Sequence, residues 1–364
     1  MKKIYHITED MSFNSGGVRT VLVNLDTYLN NTSDLNSTIL SNFKEPNDPY
    51  IDFNPSSRLK MWNYSVEYKN YISSQISNLD VLHLHGVFMH PQFTASKQAE
   101  KHNVPYIVSP HGMLEPWHLK DKQLKKGIYL KLFLEKILSN SSMLHAITPL
   151  EKDNLFKLTK HKNIFEIPNF INYSKIPNHL TYNPNEEYIL YLGRIHPKKG
   201  LDILLESMTK IENKKIKLKI VGEENLYSNE LRTKCNNLLI NNRVEFVGSV
   251  FGDEKYALYA NAKAFVAPSF SEAIGMVNLE AAICKTPVIT TFNTGINPDW
   301  NINGGLMINP KVDELTNAIN LALSWNETER FERGGLLSEY VINNYSWEKK
   351  GYLWADIYNS LINK

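Results

Sequence analysis

Two glutamates bracket seven residues in the run Ser269-Phe270-Ser271-Glu272-Ala273-Ile274-Gly275-Met276-Val277-Asn278-Leu279-Glu280-Ala281. Carboxylates accept hydrogen bonds from hydroxyls, often in pairs, and a helix opening near Gly275 leaves N–H groups free to hold an anion between them. One extended ligand carrying a sugar, a phosphate and a ribose would satisfy that pattern. Taken alone, the same residues read as well as a helix-initiating acid at Glu272 and a surface position at Glu280, because Glu is a good helix former. A second run, Gly193-Arg194-Ile195-His196-Pro197-Lys198-Lys199-Gly200, sets two cations beside a strand end. Arg194 and Lys199 there suit a diphosphate whose charge concentrates as its attached group departs; a solvated basic loop is the alternative. Asn14-Ser15-Gly16-Gly17-Val18-Arg19 precedes a helical run from Thr20 to Leu29. Gly16 and Gly17 let backbone N–H groups approach an anion at a helix start, or simply make a tight turn. His111 follows the strand candidate Tyr106–Ser109, where it could act on a ligand or cap its own loop. His83 and His85 flank another strand end, and packing suits both. No Asp-any-Asp sequence is placed at a strand end, so the expected chemistry needs no metal.

The elements that must position these residues are short apolar runs alternating with longer helix-like segments, the pattern of βαβ units and a parallel sheet. The pattern occurs twice. Strands are predicted at Ile4–Ile7, Thr38–Ser41, Val81–Leu84, Tyr106–Ser109, Met143–Ile147 and Phe165–Ile167. In the second half they are predicted at Tyr188–Leu192, Lys217–Val221, Val244–Val247, Ala264–Ala267, Val288–Thr291 and Leu306–Ile308. Between the halves, Asn172 to Glu187 is rich in Asn and Pro and reads as a linker. The organisation expected is an α/β doubly wound domain over 1–172, a linker over 173–187 and a second such domain over 188–346. Ligands of doubly wound sheets sit beyond the carboxyl ends of the strands, where all the runs above fall.

The chain has 364 residues, 42% of them hydrophobic, with a net charge of +2. That suits two soluble domains and gives no ground for a nucleic-acid partner. Cys235 and Cys284 have no metal-ligand spacing and point to a reducing cytoplasm. Met1 to Asp10 lacks the apolar core of a signal peptide, and no apolar run is long enough to span a bilayer.

In their order along the chain, Gly16-Gly17, Pro110-His111-Gly112, Gly193-Arg194 with Lys199-Gly200, and Glu272 to Glu280 resemble the motifs of the retaining family 4 glycosyltransferases. The resemblance implies the GT-B fold, two Rossmann-like domains facing each other across a cleft. It implies a sugar passing from a nucleoside-diphosphate sugar to a saccharide hydroxyl with retention of configuration. Donor identity is not inherited with it; the expected donor is a UDP-sugar before a GDP-sugar, giving a hexosyl or N-acetylhexosaminyl group. By that resemblance Arg194 and Lys199 bind the diphosphate, Glu280 the ribose and Glu272 the transferred sugar. Gly16, Gly17, Gly193 and the backbone of Ile274, Gly275, Met276 and Val277 complete the donor site. His111 lies across the cleft near sugar and phosphate as a catalytic residue, with closure about the linker bringing it opposite Glu272. His85, His111 and Trp117 are the acceptor-side candidates. Residues 347–364, following Tyr345-Ser346-Trp347-Glu348, resemble the final helix that crosses back to the first domain. Ala273-Ile274 departs from the Gly or Pro and Phe of many relatives.

The stretch holding Trp117, His118, Lys120, Lys122, Lys125, Lys126, Lys131 and Lys136 is basic and amphipathic. It suits peripheral contact with the inner membrane surface and a lipid-linked polysaccharide or lipopolysaccharide precursor, or else an ordinary surface helix. The wealth of Lys, Asn and Ile fits a bacterial genome, where proteins of this type build surface polysaccharide. The alternative is a catalytically inactive GT-B partner subunit or a sugar-nucleotide-binding protein.

Overall fold

The computed structural model describes every residue except Ser33, 56–61, 116–132, 178–179, Thr181, 183–186 and Lys364, with backbone alone for Asn14 and Lys175. The chain forms two compact units: Met1–Phe170 with Lys350–Lys364, and Ile171–Lys349.

In the first unit the strands are β1 (Lys2–Ile7), β2 (Leu35–Ser41), β3 (Ile51–Asp52), β4 (Val81–His85), β5 (Tyr106–Ser109), β6 (Met143–Ala146) and β7 (Ile164–Glu166). They pair in parallel in the order β3-β2-β1-β4-β5-β6-β7. Strands covered on both faces read as nearly continuous apolar runs, which is why Val81, Leu82 and Leu84 of β4 are all fully buried. The helices Gly17–Thr32, Val66–Gln75, His90–His102, Glu135–Ser139 and Pro149–Thr159 connect the strands. The closing helix Tyr352–Ile362 returns to this unit and buries Trp354, Tyr358 and Leu361.

The second unit holds β8 (Tyr188–Leu192), β9 (Lys217–Val221), β10 (Val244–Gly248), β11 (Ala264–Val266), β12 (Val288–Thr291) and β13 (Leu306–Ile308). Their order, β10-β9-β8-β11-β12-β13, is that of a doubly wound dinucleotide-type sheet. Its core joins Ile189, Tyr191, Leu204, Leu205, Leu218, Ile220, Val266 and Ile319. Leu201, Leu204, Leu205 and Met208 recur at helical spacing on the first helix, Leu201–Lys210, and all four are buried.

In both sheets the strand order reverses beside the first strand, between β1 and β4 and between β8 and β11. Helices leave opposite faces there, and a crevice opens at the strands' carboxyl ends. Every predicted strand is present, with β4, β6, β10 and β11 ending one residue from the predicted position and further differences elsewhere. The two-residue β3 was absent from the predictions, being too short to show a period. β1 and β2 begin earlier, at Lys2 and Leu35, and β7 lies one residue earlier, at Ile164–Glu166.

Candidate active site

In the second unit the crevice is bounded by the segments that follow β8 and β11. Gly200, with φ of 72°, ends the short turn Pro197–Lys199 and caps the helix Leu201–Lys210. A Cβ at Gly200 would sit 2.1 Å from the Pro268 carbonyl oxygen, so only glycine lets the two segments approach so closely. The Phe270 amide donates to the Lys198 carbonyl at 2.9 Å and ties them together.

That approach brings Lys199 onto Glu272, whose carboxylate accepts from the ammonium across 73 residues of sequence. The two side chains are only 15% and 19% exposed, so the pair is poorly screened by water. Arg194 is exposed at the same strand end, its carbonyl taking the Tyr191 hydroxyl at 2.8 Å. Burial and the Glu272 carboxylate raise the Tyr191 hydroxyl's pKa, while Arg194 opposes the rise. The phenol therefore stays protonated and serves as a donor. Gly193 and Gly222 bring the first two strand ends together, because a Cβ at Gly222 would lie 2.2 Å from the Gly193 oxygen.

The helix Met276–Ile283 starts at Gly275 without a side-chain cap. Its first N–H groups, those of Met276 and Val277 among them, keep the positive end of the helix dipole. Ile274 is buried in the core and offers only its backbone. One turn on, the Glu280 carboxylate accepts from Lys255 Nζ and from the Tyr259 hydroxyl, each at 3.0 Å. Lys255 and Tyr259 lie one turn apart on the helix Gly252–Asn261 and present one face to Glu280. Sequence reading missed both, although their spacing of four was visible. Each Glu280 oxygen keeps a lone pair for a ligand hydroxyl while Lys255 fixes its direction. Glu280→Ala is expected to raise the donor KM about tenfold with a smaller change in kcat, as loss of uniform binding does. Initial rates against donor concentration check this, and an unchanged KM would remove Glu280 from the donor site.

In the first unit Gly16, with φ of 60°, precedes the helix Gly17–Thr32 and Gly17 opens it, and a Cβ on either would meet nothing within 4 Å. Backbone conformation requires the first glycine, and the loop borders open space. Arg19 beside it is committed to a two-pronged pair with Asp48 at 2.6 and 2.9 Å. His111 and Gly112 both adopt left-handed backbone, with φ of 53° and 75°. Glu151 holds that turn, one oxygen accepting from the Gly112 amide at 2.7 Å and the other from Ile147 at 2.8 Å. Thr148 to Glu151 has the spelling of a capping box, and Thr148 does cap the helix Pro149–Thr159. The Glu151 carboxylate, however, serves the His111 loop, a role the spelling hides.

His85 is 1% exposed, and both its ring nitrogens are engaged, with His6 and with His111, each at 2.9 Å. The structure thus places His85 behind His111 and not on an acceptor-lining surface. Its position on a strand buried on both faces is the reason. Trp117 and the basic stretch up to Lys131 lie outside the described residues. Ring nitrogens of His6, His83 and His85 lie within 4.8 Å of one another, close enough to share a metal ion. A metal there would have to displace the hydrogen bonds these rings make to each other, to Ser109 and to Tyr358.

Two family models meet near the boundary of the units. Residues 15–175 match glycosyltransferase family 4, and residues 172–333 match the group 1 glycosyl transferases. An uncharacterized glycosyltransferase of Methanocaldococcus jannaschii is 29% identical over 287 residues, which is 77% of this chain and 75% of the relative. Another from that organism is 31% identical over 185 residues, or 49% of this chain, and the match spans only 44% of the relative's length. Among solved structures, Anabaena HepE in complex with UDP and glucose superposes with a TM-score of 0.79 over 99% of this chain and 100% of that one, at 14% identity. The fold is therefore GT-B, and the chain belongs to the family 4 glycosyltransferases.

Proposed function

We propose that this glycosyltransferase moves a hexosyl or N-acetylhexosaminyl group from a nucleoside-diphosphate sugar, UDP-linked before GDP-linked, to a hydroxyl of a saccharide acceptor with retention of configuration. The observation that carries the reading is the half-buried Lys199–Glu272 pair at the second unit's switch point. It puts a cation for phosphate and a carboxylate for sugar hydroxyls side by side, with Arg194 exposed nearby and Glu280 one helix turn from Gly275. The Anabaena neighbour's UDP and glucose support the choice of donor.

Mechanistically, Arg194, Lys199 and the uncapped amides at Met276 and Val277 stabilise the negative charge that gathers on the diphosphate as the glycosidic bond breaks. Glu272 accepts from hydroxyls of the transferred sugar, and Glu280 from the ribose. His111 supplies a hydrogen bond to the reacting sugar or shields the phosphate. The acceptor hydroxyl attacks from the face the diphosphate leaves, and a departing phosphate oxygen takes its proton, so no protein nucleophile and no metal is needed. A lipid-linked polysaccharide precursor at the membrane face is the proposed acceptor. No helix among the described residues is long and apolar enough to cross a membrane, so the proposed association is peripheral.

Thermal unfolding against UDP, GDP, ADP and their sugars tests the donor. A nucleotide at 100 times its Kd is expected to add about 2.7 kcal/mol of apparent stability, and silence toward all of them would sink the reading. Product anomeric configuration by NMR, with EDTA present throughout, tests the rest. An inverted product, or activity lost to EDTA with the fold intact, would overturn the retaining or the metal-free mechanism respectively.

A further inference from the structure

One face of the first unit's sheet carries a row of imidazoles. His6 on β1 stands beside His83 on β4, and His85 on β4 stands beside Ser109 on β5. His145 follows on β6, and the helix Tyr352–Ile362 covers the row with Trp354 and Tyr358. His6, His83, His85 and His145 are each 2% exposed or less, whereas His111 is partly exposed. Burial holds all five neutral, driving His6 and His145 down to about 3, His111 to about 4, and His83 and His85 well below the usual range. A neutral imidazole has one donor and one acceptor, so hydrogen bonds along the row decide where each proton sits.

The row divides into two chains. In one, His145 Nε2 lies 2.7 Å from the Ile167 carbonyl oxygen, which only accepts, so His145 carries its proton on Nε2. Its Nδ1 must then accept from the Ser109 hydroxyl at 2.8 Å. Ser109, its proton spent, accepts from His83 Nε2–H at 2.7 Å, and His83 Nδ1 accepts from the Tyr358 hydroxyl at 2.7 Å. Both histidines of this chain are fixed as Nε2–H.

The other chain runs outward. His6 Nδ1 meets His85 Nε2, and His85 Nδ1 meets His111 Nε2, both at 2.9 Å. Two proton arrangements satisfy these bonds, and they differ at the ends. Pointing the donors inward leaves a proton on His6 Nε2, which is buried and has no hydrogen-bond partner among the described residues. Pointing them outward leaves a bare nitrogen there instead. Orphaned buried donors are rarer and costlier than under-used acceptors, so the outward arrangement wins.

We propose that His6 and His85 are positioning residues that hold His111 as the tautomer protonated on Nδ1, so that it meets its ligand as a hydrogen-bond donor and not as a base. The functional half of this inference rests on the transfer role proposed for His111; the tautomer itself does not. Free histidine in water prefers the Nε2–H form, so the fold selects the minor one. As a donor to a sugar hydroxyl or a phosphate oxygen, His111 keeps its proton through the reaction, consistent with a leaving phosphate that takes the acceptor's proton.

Long-range 15N–1H correlation spectra of the whole, ligand-free protein labelled with 15N histidine read each tautomer directly. The His111 signals are assigned by their loss in His111→Asn. The expected spectrum shows His6, His85 and His111 as Nδ1–H, with His83 and His145 as Nε2–H in the same sample. His111 found as Nε2–H would overturn the proposal. In His85→Phe the constraint is gone and His111 is expected to shift toward Nε2–H; if it stays Nδ1–H, His6 and His85 do not set it. Should that variant fail to fold, the wild-type spectrum alone decides. Turnover separates the two claims: wild-type kcat in His111→Asn would remove the transfer role and leave the tautomer assignment standing. A kcat in His85→Phe reduced to the His111→Asn level with donor KM unchanged is the expected functional signature.

Discussion

Lys199→Ala is expected to lower kcat by about 10² to 10³ while the protein remains folded, the loss seen when one fixed donor to a developing oxyanion is removed. Two effects combine. The diphosphate loses a cation held at the crevice, and the Glu272 carboxylate, paired with Lys199 in the free chain, is left uncompensated next to incoming negative charge. A double variant separates them. If Lys199 serves only to neutralise Glu272, then Lys199→Met with Glu272→Gln restores much of the rate. If it serves the diphosphate, the double variant stays as slow as Lys199→Met alone. Arg194→Ala and Glu272→Ala are each expected to cost about 10² or more by the same argument, and their effects should not add with that of Lys199. Steady-state rates with saturating donor, backed by unfolding curves to show the fold is intact, make the measurement. A kcat for Lys199→Ala within a few fold of wild type would take Lys199 out of the chemistry.

What the sequence made legible was whatever is local. The alternation of short β-branched runs with helical segments predicted both sheets, and the runs after β8 and β11 could be marked as ligand-facing because strand ends are where such sheets bind. Contacts between distant segments were beyond it. Nothing in the spelling of either run says that Lys199 and Glu272 form an ion pair; the strand order and the glycine at position 200 bring that about. Lys255 looked like any helix-surface lysine until its helix was laid against the one carrying Glu280. Glu151 shows the reverse, a local Thr-x-x-Glu pattern that gives no hint of the bond its carboxylate makes to Gly112 on another loop. The histidines were half legible. His83 and His85 alternate with leucines on a strand, which fixes them to one face, but the partner of that face is supplied by His6, 79 residues from His85, and by Tyr358, 275 residues from His83.

That buried row makes the fold sensitive to acid, and the sign follows from linkage. A histidine with a depressed folded pKa stays neutral in the native state while its unfolded form takes up a proton below about pH 6.5, so stability is full above 6.5 and falls as the pH drops toward the folded pKa. For His6 and His145 that lower limit is about 3, and for His83 and His85 burial and mutual repulsion place it well below the usual range. Each of these four contributes a loss of about 1.4 kcal/mol by pH 5.5, roughly 5.6 kcal/mol together, which is comparable with the whole stability of many domains. Glu9 and Glu151 act in the opposite direction: burial raises their pKa values, so the native state gains protons on acidification and recovers part of the loss. Their relief starts at the raised folded pKa and is complete once the pH has fallen into the ordinary carboxylate range, where the unfolded chain takes up the same protons, and two carboxylates offset only part of the loss at four histidines. Urea unfolding at pH 7.5, 6.5 and 5.5 should therefore show a midpoint that falls steeply over the last interval, and His145→Leu should flatten the slope by about one proton's worth, some 1.4 kcal/mol per pH unit. A midpoint unchanged between pH 7.5 and 5.5 would mean that these imidazoles accept protons inside the fold, and the hydrogen-bond directions that run from Tyr358 to Ile167 could not then be as the geometry requires.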